Sequence, residues 1–309
     1  MFARFLLAAP LVLSACAAAP SNLAAPVSET ASPQAFPASG WAQACEDWDE
    51  WDKPGPPFRL SGSDTYYVGT CGIAAILIDS GAGLVLIDSG TDAGARVVMA
   101  NIERLGFALP DVKYLLTSHE HFDHVGGIAR IQQATGAQLI TSAGAAEVFA
   151  SGAVSPEDPQ FGTIDGVSPA RVDRVVGHGD EVVIGNKRLR ALATPGHTHG
   201  ALSWAWDSVT GPDQVQTVVY ADSLSPVSAD DYRFSDHPAY LASYREGIAR
   251  IANAGRCLLA TPHPSASQMR DRLHDWGLGM AGRDDCAQYA ASITARLDAR
   301  LAEEQRAQP

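Results

Sequence analysis

The sequence predicts an α/β protein in which two β-sheets pack face to face between outer helices, a four-layer αββα sandwich. Each half of the chain begins with short apolar strands and continues as a mixture of strands and helices, with no internal repeat or linker between the halves. Of the 309 residues, 46% are hydrophobic and 18% charged, which is typical of a globular protein with a substantial core. We therefore expect residues 41–309 to form a single domain.

In the first half, apolar runs bounded by turn residues predict strands, and a period near 3.6 predicts helices. Residues 41–57 precede them as an irregular segment, whose tryptophans would either line a substrate cleft or dock this arm onto the core. The long segment 151–169 is predicted to be a loop and would border a cleft, together with Phe161. The predicted strands are 65–68, 73–78, 84–87, 112–116 and 138–141, and the predicted helices are 93–105, 125–135 and 143–150.

The second half continues the same alternation. Its first strands are short and centre near residues 175, 182 and 189. An amphipathic helix separates the later strands, and a long helix ends the chain. The predicted strands are 199–206, 216–221 and 257–260, and the predicted helices are 240–254 and a part of 283–304.

The N-terminus resembles an export signal and is left out of the fold prediction. Arg4 supplies a positive charge, and residues 5–13 are apolar but too few to span a bilayer. Leu-Ser-Ala-Cys, ending at Cys16, resembles the lipobox of bacterial lipoproteins; ordinary cleavage in the adjacent alanine run is the alternative. We expect a signal peptide over 1–16 and a flexible tether over 17–40. The protein would be periplasmic, and anchored to the outer membrane if Cys16 carries lipid.

Cysteine usage agrees with export. The chain has five cysteines, and lipidation of Cys16 would leave four in an oxidising compartment, where disulfides persist. Four cysteines allow three pairings. We favour Cys45–Cys71 and Cys257–Cys286 because each closes a short loop, and four free buried thiols are the alternative.

The charge balance limits the partners. The formal net charge is -13, which argues against binding to nucleic acid or to anionic membrane surfaces. Contact with a membrane is therefore expected only through the lipid anchor. The charge does not exclude an anionic small molecule, because metal ions can reverse the local field at a site.

The densest group of chemically active residues directly follows the predicted strand 112–116. Its sequence, Ser-His-Glu-His-Phe-Asp-His-Val-Gly-Gly, covers residues 118–127. Four side chains of metal-ligand type occur within six residues, namely His119, His121, Asp123 and His124. One metal would not easily take all four ligands, but two neighbouring metals would. A polar loop with accidental histidines is the alternative.

Two further histidines follow predicted strands in the same way. His197 lies in Thr-Pro-Gly-His and His263 in Thr-Pro-His-Pro, where a proline restricts the turn. Catalytic zinc sites keep three protein ligands and one open position, so five histidines and one aspartate would form two such sets. The ligands favour zinc, although manganese and iron also suit them. We assign the first metal to His119, His121 and His197, and the second to Asp123, His124 and His263.

These motifs resemble those of the subclass B3 metallo-β-lactamases. The His-x-His-x-Asp-His motif of the family corresponds to 119–124, and the other ligand motifs correspond to 195–198 and 261–264. The resemblance extends to 88–91 and 220–229, and it covers the chain from about residue 41 onwards. The histidine motif alone would indicate only the superfamily, which includes thioesterases, lactonases and nucleases.

The resemblance implies a fold and an activity. The fold is an αββα sandwich with two zinc ions per chain at one edge. The activity is hydrolysis of the β-lactam ring of penicillins, cephalosporins and carbapenems by a metal-bound hydroxide, which confers antibiotic resistance. The partner is then a small β-lactam, and the chain is expected to be a monomer.

The resemblance also implies roles for individual residues. Asp123 would orient the hydroxide while binding the second metal, and Ser223 and Ser225 would bind the substrate carboxylate. Asp88 would accept a hydrogen bond that orients a ligand imidazole. The alternatives are two structural turn serines and a strand-end cap at Asp88. His199 departs from the family pattern, either as a satisfied strand histidine or as a contact of the site.

Two other functions compete with this interpretation. A lactonase or thioesterase of the same superfamily would use Asp222 as a carboxylate that bridges both metals, although the export signal disfavours cytosolic thioester chemistry. A non-catalytic binding protein on the same fold would have lost metal ligands. Because all six ligand residues are present, we favour an enzyme.

Overall fold

The computed structural model describes residue 1 and residues 36–46, 50–276 and 285–307. The described strands and helices all lie within Pro33–Pro309. The predicted signal peptide, its Cys16 and the tether up to residue 35 lie outside the described residues, apart from Met1. Within the described ranges, no helix combines the length and apolar character needed to cross a bilayer.

The first sheet comes from the N-terminal half of the chain. Its described strands are β1 Phe58–Ser61, β2 Thr65–Tyr67, β3 Ile76–Asp79, β4 Leu84–Ile87, β5 Val112–Leu116, β6 Gln138–Thr141 and β7 Val172–Val175. They lie side by side in chain order. Pairs from β1 to β4 are antiparallel, whereas β4 to β7 are parallel.

The second sheet comes from the C-terminal half. Its described strands are β8 Glu181–Ile184, β9 Lys187–Ala193, β10 Leu202–Gly211, β11 Gln214–Tyr220 and β12 Leu258–Ala260. Their spatial order is β12-β11-β10-β9-β8, and only the β11–β12 pair among them is parallel. A crossover with a helix is needed for that parallel pair, and the chain supplies it between residues 220 and 258.

The described helices pack against the two sheets, most of them on the outer faces, whereas α1 and α7 border the core between the sheets. They are α1 Ala38–Ala44, α2 Gly94–Arg104, α3 Phe122–Val125, α4 Ile128–Thr135, α5 Ala143–Ser151, α6 Pro238–Ala252, α7 Met269–Trp276 and α8 Asp285–Arg306. One core lies between the sheets, a second joins the first sheet to α2, α4 and α5, and a third joins the second sheet to α6 and α8. Successive side chains of a strand point to opposite faces, so Ile76 and Ile78 enter the first core and Leu77 the second. This is the predicted four-layer αββα sandwich.

The two sheets are joined by hydrogen bonds beside the carboxyl end of β5. The backbone N–H of Leu202 donates to the carbonyl of Ser118 at 2.7 Å, and the indole of Trp204 donates to the carbonyl of Thr117 at 2.9 Å. The segment that follows β5 is therefore held against β10. Both predicted disulfides, Cys45–Cys71 and Cys257–Cys286, are present.

The prediction of an irregular segment over 41–57 is wrong at its start. Helix α1 begins at Ala38, inside the expected tether, and extends to Ala44. The cause is tertiary packing, because Trp41 is fully buried and its ring centroid lies 6.0 Å from Phe58 and 5.4 Å from Tyr67. Strand β1 and helix α7 were not predicted because both are short, although Phe58 and Leu60 alternate with polar residues in β1 and Met269 and Leu273 lie four residues apart in α7.

Two predicted elements have different boundaries in the structure. The predicted helix 125–135 is split into α3 and α4 at Gly126 and Gly127, and a Cβ at residue 127 would lie 2.3 Å from Cβ of Ala95 in α2. The predicted strand 199–206 starts only at Leu202, because the N–H of Gly200 is bonded to a carboxylate of the site instead of a neighbouring strand. The predicted loop is present over 152–171, between α5 and β7, and is called the cleft loop below.

Candidate metal centre

Residues of the candidate centre follow the carboxyl ends of five strands. Asp88 follows β4, His119 follows β5, His197 follows β9, Asp222 follows β11 and His263 follows β12. Polar side chains at strand ends can converge because the loops are short and the strands beneath them are fixed by the core. The structure brings all six sequence-predicted ligands together at this edge.

The first predicted set is a compact group of three buried imidazoles. The ring centroids of His119, His121 and His197 lie 4.8 to 4.9 Å apart. Each offers one nitrogen to a common point, and these three atoms lie within 4.8 Å of one another. Three imidazole nitrogens that converge in this way suit a divalent ion such as zinc.

The opposite nitrogen of each imidazole is bonded to an oxygen. Nδ1 of His119 bonds the carboxylate of Asp222 at 2.7 Å, and Nε2 of His121 bonds that of Asp158 at 2.9 Å. Nδ1 of His197 donates to the carbonyl of Ser225 at 3.0 Å. Such partners fix the tautomer and orientation of a metal-binding histidine. The remaining nitrogens are Nε2 of His119, Nδ1 of His121 and Nε2 of His197, and the last of these lies 3.4 Å from the side-chain nitrogen of Gln160 on the cleft loop.

The chemistry of these nitrogens fits a metal ion. Nε2 of His119 is buried and has no hydrogen-bond partner within the described residues. Burial, together with the neighbouring imidazoles, holds the pKa of His119 and of His197 well below the usual value, so both rings are neutral and each carries one lone pair. Burial opposes the charged form of His121, but the carboxylates of Asp158, Glu120 and Asp123 together outweigh it and raise the pKa of His121.

The second predicted set surrounds one carboxylate oxygen. Oδ2 of Asp123 lies 3.0 Å from Nε2 of His124 and 3.3 Å from Nε2 of His263. The two nitrogens are 3.1 Å apart. Burial opposes ionisation of Asp123, but the neighbouring imidazoles outweigh it and hold its pKa well below the usual value. A negative oxygen between two imidazoles also fits a divalent cation. The side chain of His263 is 29% exposed, so this set faces solvent.

Glu120 joins the two loops that carry the first set. Its carboxylate, 6% exposed, accepts hydrogen bonds from Oγ1 of Thr198 at 2.8 Å and from the N–H of Gly200 at 3.0 Å. Gly200 is required here, because a Cβ at this position would lie 2.7 Å from Oε2 of Glu120. Glu120 therefore links the loop of His119 and His121 to the loop of His197.

The role expected for Asp88 is wrong. Its carboxylate does not contact an imidazole; it accepts hydrogen bonds from N–H and Oγ of Ser118 at 2.7 and 2.6 Å and from the hydroxyl of Tyr220 at 2.8 Å. Burial raises the pKa of Asp88 to about 7, although these donors oppose the shift. Asp88 thus holds the backbone beside His119, and Asp222 is the carboxylate that orients the ring.

The two serines differ in their surroundings. The hydroxyl of Ser223 is buried and makes no hydrogen bond to any described residue. The hydroxyl of Ser225 lies 3.2 Å from Nδ1 of His197. Helix α8 supports this segment, since the hydroxyl of Tyr289 donates to the carbonyls of Asp222 at 2.9 Å and Ser223 at 2.6 Å.

Aromatic side chains border the second set. Trp51 is 40% exposed, and its ring centroid lies 5.6 Å from Phe122 and 6.1 Å from His263. Phe161 is 52% exposed on the cleft loop. His199 stacks on Tyr240 with ring centroids 4.0 Å apart, and it is not a strand residue. Of the tryptophans in 41–57, Trp41 belongs to the core, Trp51 borders the centre and Trp48 lies outside the described residues.

Sequence reasoning missed two of the carboxylates that support the ligands. Asp158 is 37 residues from His121 in a segment with no regular period, so no local pattern pointed to it. Glu120 lies between two predicted ligands, and its position in the motif was the signal available. The sequence offers Asp222 only as a possible bridge between two metals, whereas its carboxylate bonds the imidazole of His119.

Comparisons with known proteins agree with this geometry. Residues 68–209 match the family model described as the metallo-beta-lactamase superfamily. The chain is similar to the solved structure of the MIM-2 metallo-β-lactamase, with 57% identity and a TM-score of 0.82 over 87% of this chain and 99% of that one. It is also similar to MEM-A1, a subclass B3 metallo-β-lactamase isolated from a soil metagenome library, with 38% identity and a TM-score of 0.79 over 84% and 100%.

A curated relative shares only part of the chain. The hydroxyacylglutathione hydrolase of Bradyrhizobium sp. (strain ORS 278) is 32% identical over 133 residues, which are 41% of this chain and 43% of that protein. The chain thus matches less than half the length of this relative, whereas it covers nearly all of the two lactamase structures. The chain belongs to the metallo-β-lactamases, in subclass B3.

Proposed function

We propose that the protein hydrolyses the C–N bond of the β-lactam ring in antibiotics, using two zinc ions per chain. One observation carries the proposal: each imidazole of the first set has one nitrogen bonded to an oxygen and the other directed to a common point. The second set, around Asp123, lies directly beside it, with ring centroids of His119 and His124 4.2 Å apart. The near-complete coverage of the MIM-2 and MEM-A1 lactamases supports the same reaction.

The chain contributes ligands, orientation and shape to the reaction. Zinc ions held by the two sets would polarise the lactam carbonyl and make a water molecule nucleophilic near neutral pH. Asp123, ionised in this site, accepts a hydrogen bond from the attacking water and orients it. The unpartnered hydroxyl of Ser223 donates to the carboxylate of the substrate. Trp51 and Phe161 supply apolar surface for the rest of the drug and exclude water from the ring.

A thioester substrate is the second candidate, because the curated relative is a hydroxyacylglutathione hydrolase. The geometry of Asp222 argues against a carboxylate bridge between two metals. Its Oδ1 bonds Nδ1 of His119, the nitrogen opposite the one that faces the cluster, and its side chain is fully buried. We therefore favour β-lactams over thioesters as the substrate class.

We also propose a cellular location for the enzyme. The export signal, the lipobox-like Cys16 and the two disulfides support a periplasmic enzyme that confers resistance where β-lactams act. We propose a monomer, attached to the outer membrane by a lipid on Cys16. Mass spectrometry of the mature N-terminus tests the anchor: a diacylglyceryl mass on Cys16 supports it, and a free N-terminus within the alanine run contradicts it.

Side-by-side kinetics test the substrate class. The purified zinc-loaded enzyme is assayed with a penicillin, a cephalosporin, a carbapenem and a hydroxyacylglutathione thioester. We expect kcat/KM for at least one β-lactam to exceed that for the thioester by a hundredfold or more, on the order of 3 kcal/mol in transition-state stabilisation. A higher value for the thioester would reverse the order of the two candidates.

A further inference from the structure

Asp158 connects a predicted metal ligand to the cleft loop. Its Oδ2 accepts a hydrogen bond from Nε2 of His121 at 2.9 Å, and its side chain is 2% exposed. Its other oxygen, Oδ1, accepts the backbone N–H of Gln160 at 2.7 Å. One buried carboxylate therefore binds both an imidazole of the first set and a turn of the loop that borders the substrate.

The direction of the first hydrogen bond decides which nitrogen of His121 can bind a metal. A carboxylate oxygen accepts the hydrogen bond from Nε2, so in the neutral ring of His121 Nε2 carries the proton and Nδ1 carries the lone pair. Nδ1 is then the nitrogen available to the first set. An amide N–H facing Nε2 would favour the opposite tautomer, in which the proton on Nδ1 blocks metal binding.

Backbone hydrogen bonds fix Asp158 within the cleft loop, so any shift of the loop would carry its carboxylate along. The N–H of Asp158 donates to the carbonyl of Ser155 at 3.0 Å, and the N–H of Phe161 donates to the carbonyl of Asp158 at 2.9 Å. The N–H of Ala229 donates to the carbonyl of Pro159 at 2.8 Å, which ties the turn to the segment after β11. A displacement of this turn would therefore withdraw Asp158 from His121.

We propose that Asp158 is a positioning residue that couples the position of the cleft loop to the metal affinity of the first set. The inference rests on the proposed function, because it requires that set to hold a metal. A metal on Nδ1 makes Nε2–H a stronger donor and strengthens its bond to Asp158. The coupling is reciprocal. If metal affinity is higher when the loop holds Asp158 against His121, then metal binding must favour that position of the loop by the same factor.

The test compares Asp158→Asn with Glu157→Gln in the full chain. Both substitutions remove one carboxylate from the cleft loop, but Glu157 is exposed and its carboxylate makes no hydrogen bond to a described residue. Competition with a chromophoric chelator gives the dissociation constant of each zinc ion. We expect Asp158→Asn to raise one constant by about 10- to 100-fold and to leave the other nearly unchanged. Glu157→Gln should change neither.

The rate of chymotrypsin cleavage after the exposed Phe161 measures how accessible the cleft loop is to the protease. Zinc should slow this cleavage in the unsubstituted chain and in Glu157→Gln, but not in Asp158→Asn. Unchanged zinc affinity in Asp158→Asn, an equal loss in the control, or protection by zinc in all three proteins would overturn the inference. If Asp158→Asn does not fold, the ¹⁵N shifts of His121 in the zinc-loaded unsubstituted chain decide: a protonated Nε2 supports the proposal, and a protonated Nδ1 overturns it.

The two proposals fail in different ways. A protein that binds no metal at all contradicts both the proposed function and the role of Asp158. A protein that binds two zinc ions and hydrolyses β-lactams, but whose Asp158→Asn variant keeps its affinity and its zinc-dependent protection, contradicts only the role of Asp158.

Discussion

The carboxylate of Asp222 bonds Nδ1 of His119 at 2.7 Å, and both side chains are completely buried. The contact lies on the side of the imidazole opposite to the nitrogen that faces the other two histidines. Burial raises the pKa of Asp222, although the imidazole of His197 opposes the shift. Asp222 therefore orients one imidazole of the first set through the nitrogen that faces away from the other two histidines.

Asp222→Asn should weaken the first metal site and spare the second. An asparagine keeps the shape but loses the charge that fixes the tautomer of His119, so we expect a loss of affinity of about 10- to 100-fold at one site. Metal analysis after dialysis against graded chelator measures both sites. Asp213→Asn, an exposed residue in the β10–β11 turn, is the matched control. Simultaneous loss of both metals would point to a bridging carboxylate instead.

His263→Ala should leave one metal per chain. The substitution removes one of three ligands around Asp123, whereas the three buried imidazoles of the first set stay in place. Elemental analysis of the purified variant should give one zinc, and β-lactam hydrolysis should fall by several orders of magnitude. His178→Ala, an exposed histidine outside the centre, should retain two. Two metals in His263→Ala would overturn the division of ligands.

Gly200→Ala should loosen the first site through Glu120. The new Cβ would lie 2.7 Å from both Oε2 of Glu120 and the backbone nitrogen of Ala145, so the loop must shift. We expect a loss of about 1–3 kcal/mol in the free energy of unfolding, measured in urea, together with weaker zinc binding. Gly177→Ala is the control, because a Cβ there meets no atom within 4 Å. Equal stability of the two variants would contradict the steric argument.

Ser223→Ala should impair substrate binding without removing metal. The buried hydroxyl makes no hydrogen bond to the described part of the chain, and we propose that it donates to the substrate carboxylate. Loss of a hydrogen bond to a charged group costs about 1.5–3 kcal/mol, so kcat/KM should fall by roughly 10- to 150-fold, mainly through KM. Zinc content should stay at two per chain. An unchanged KM would assign Ser223 a structural role.

Much of the fold was predictable because its cores follow local patterns. Strands β4, β5 and β6 occur at their predicted residues, since each is a short apolar run between turn residues. The clustering of the candidate metal ligands was predictable for a similar reason, because four of them occupy one motif after β5. The two remaining histidines also follow strand ends, and that shared position identified them.

The supporting residues were not predictable, because their partners are distant in the chain. Asp158 and His121 meet only when the cleft loop folds back over β5, and Asp222 meets His119 only when the two sheets pack. For Asp88, the predicted imidazole partner was wrong. Its backbone has a φ of 62°, and its carboxylate bonds Ser118 and Tyr220 instead. Helix α1 likewise depends on the burial of Trp41 and not on its own composition.

The central claim is that the two sets of ligands form a metal centre that opens the β-lactam ring. The most direct measurement is the rate of penicillin, cephalosporin and carbapenem hydrolysis before chelation, after thorough chelation, and after zinc is restored to two ions per chain. The account predicts hydrolysis by the purified enzyme, its loss with the metal, and its recovery with zinc. Hydrolysis that survives complete removal of metal, or a zinc-loaded enzyme that opens none of the three rings, would contradict it.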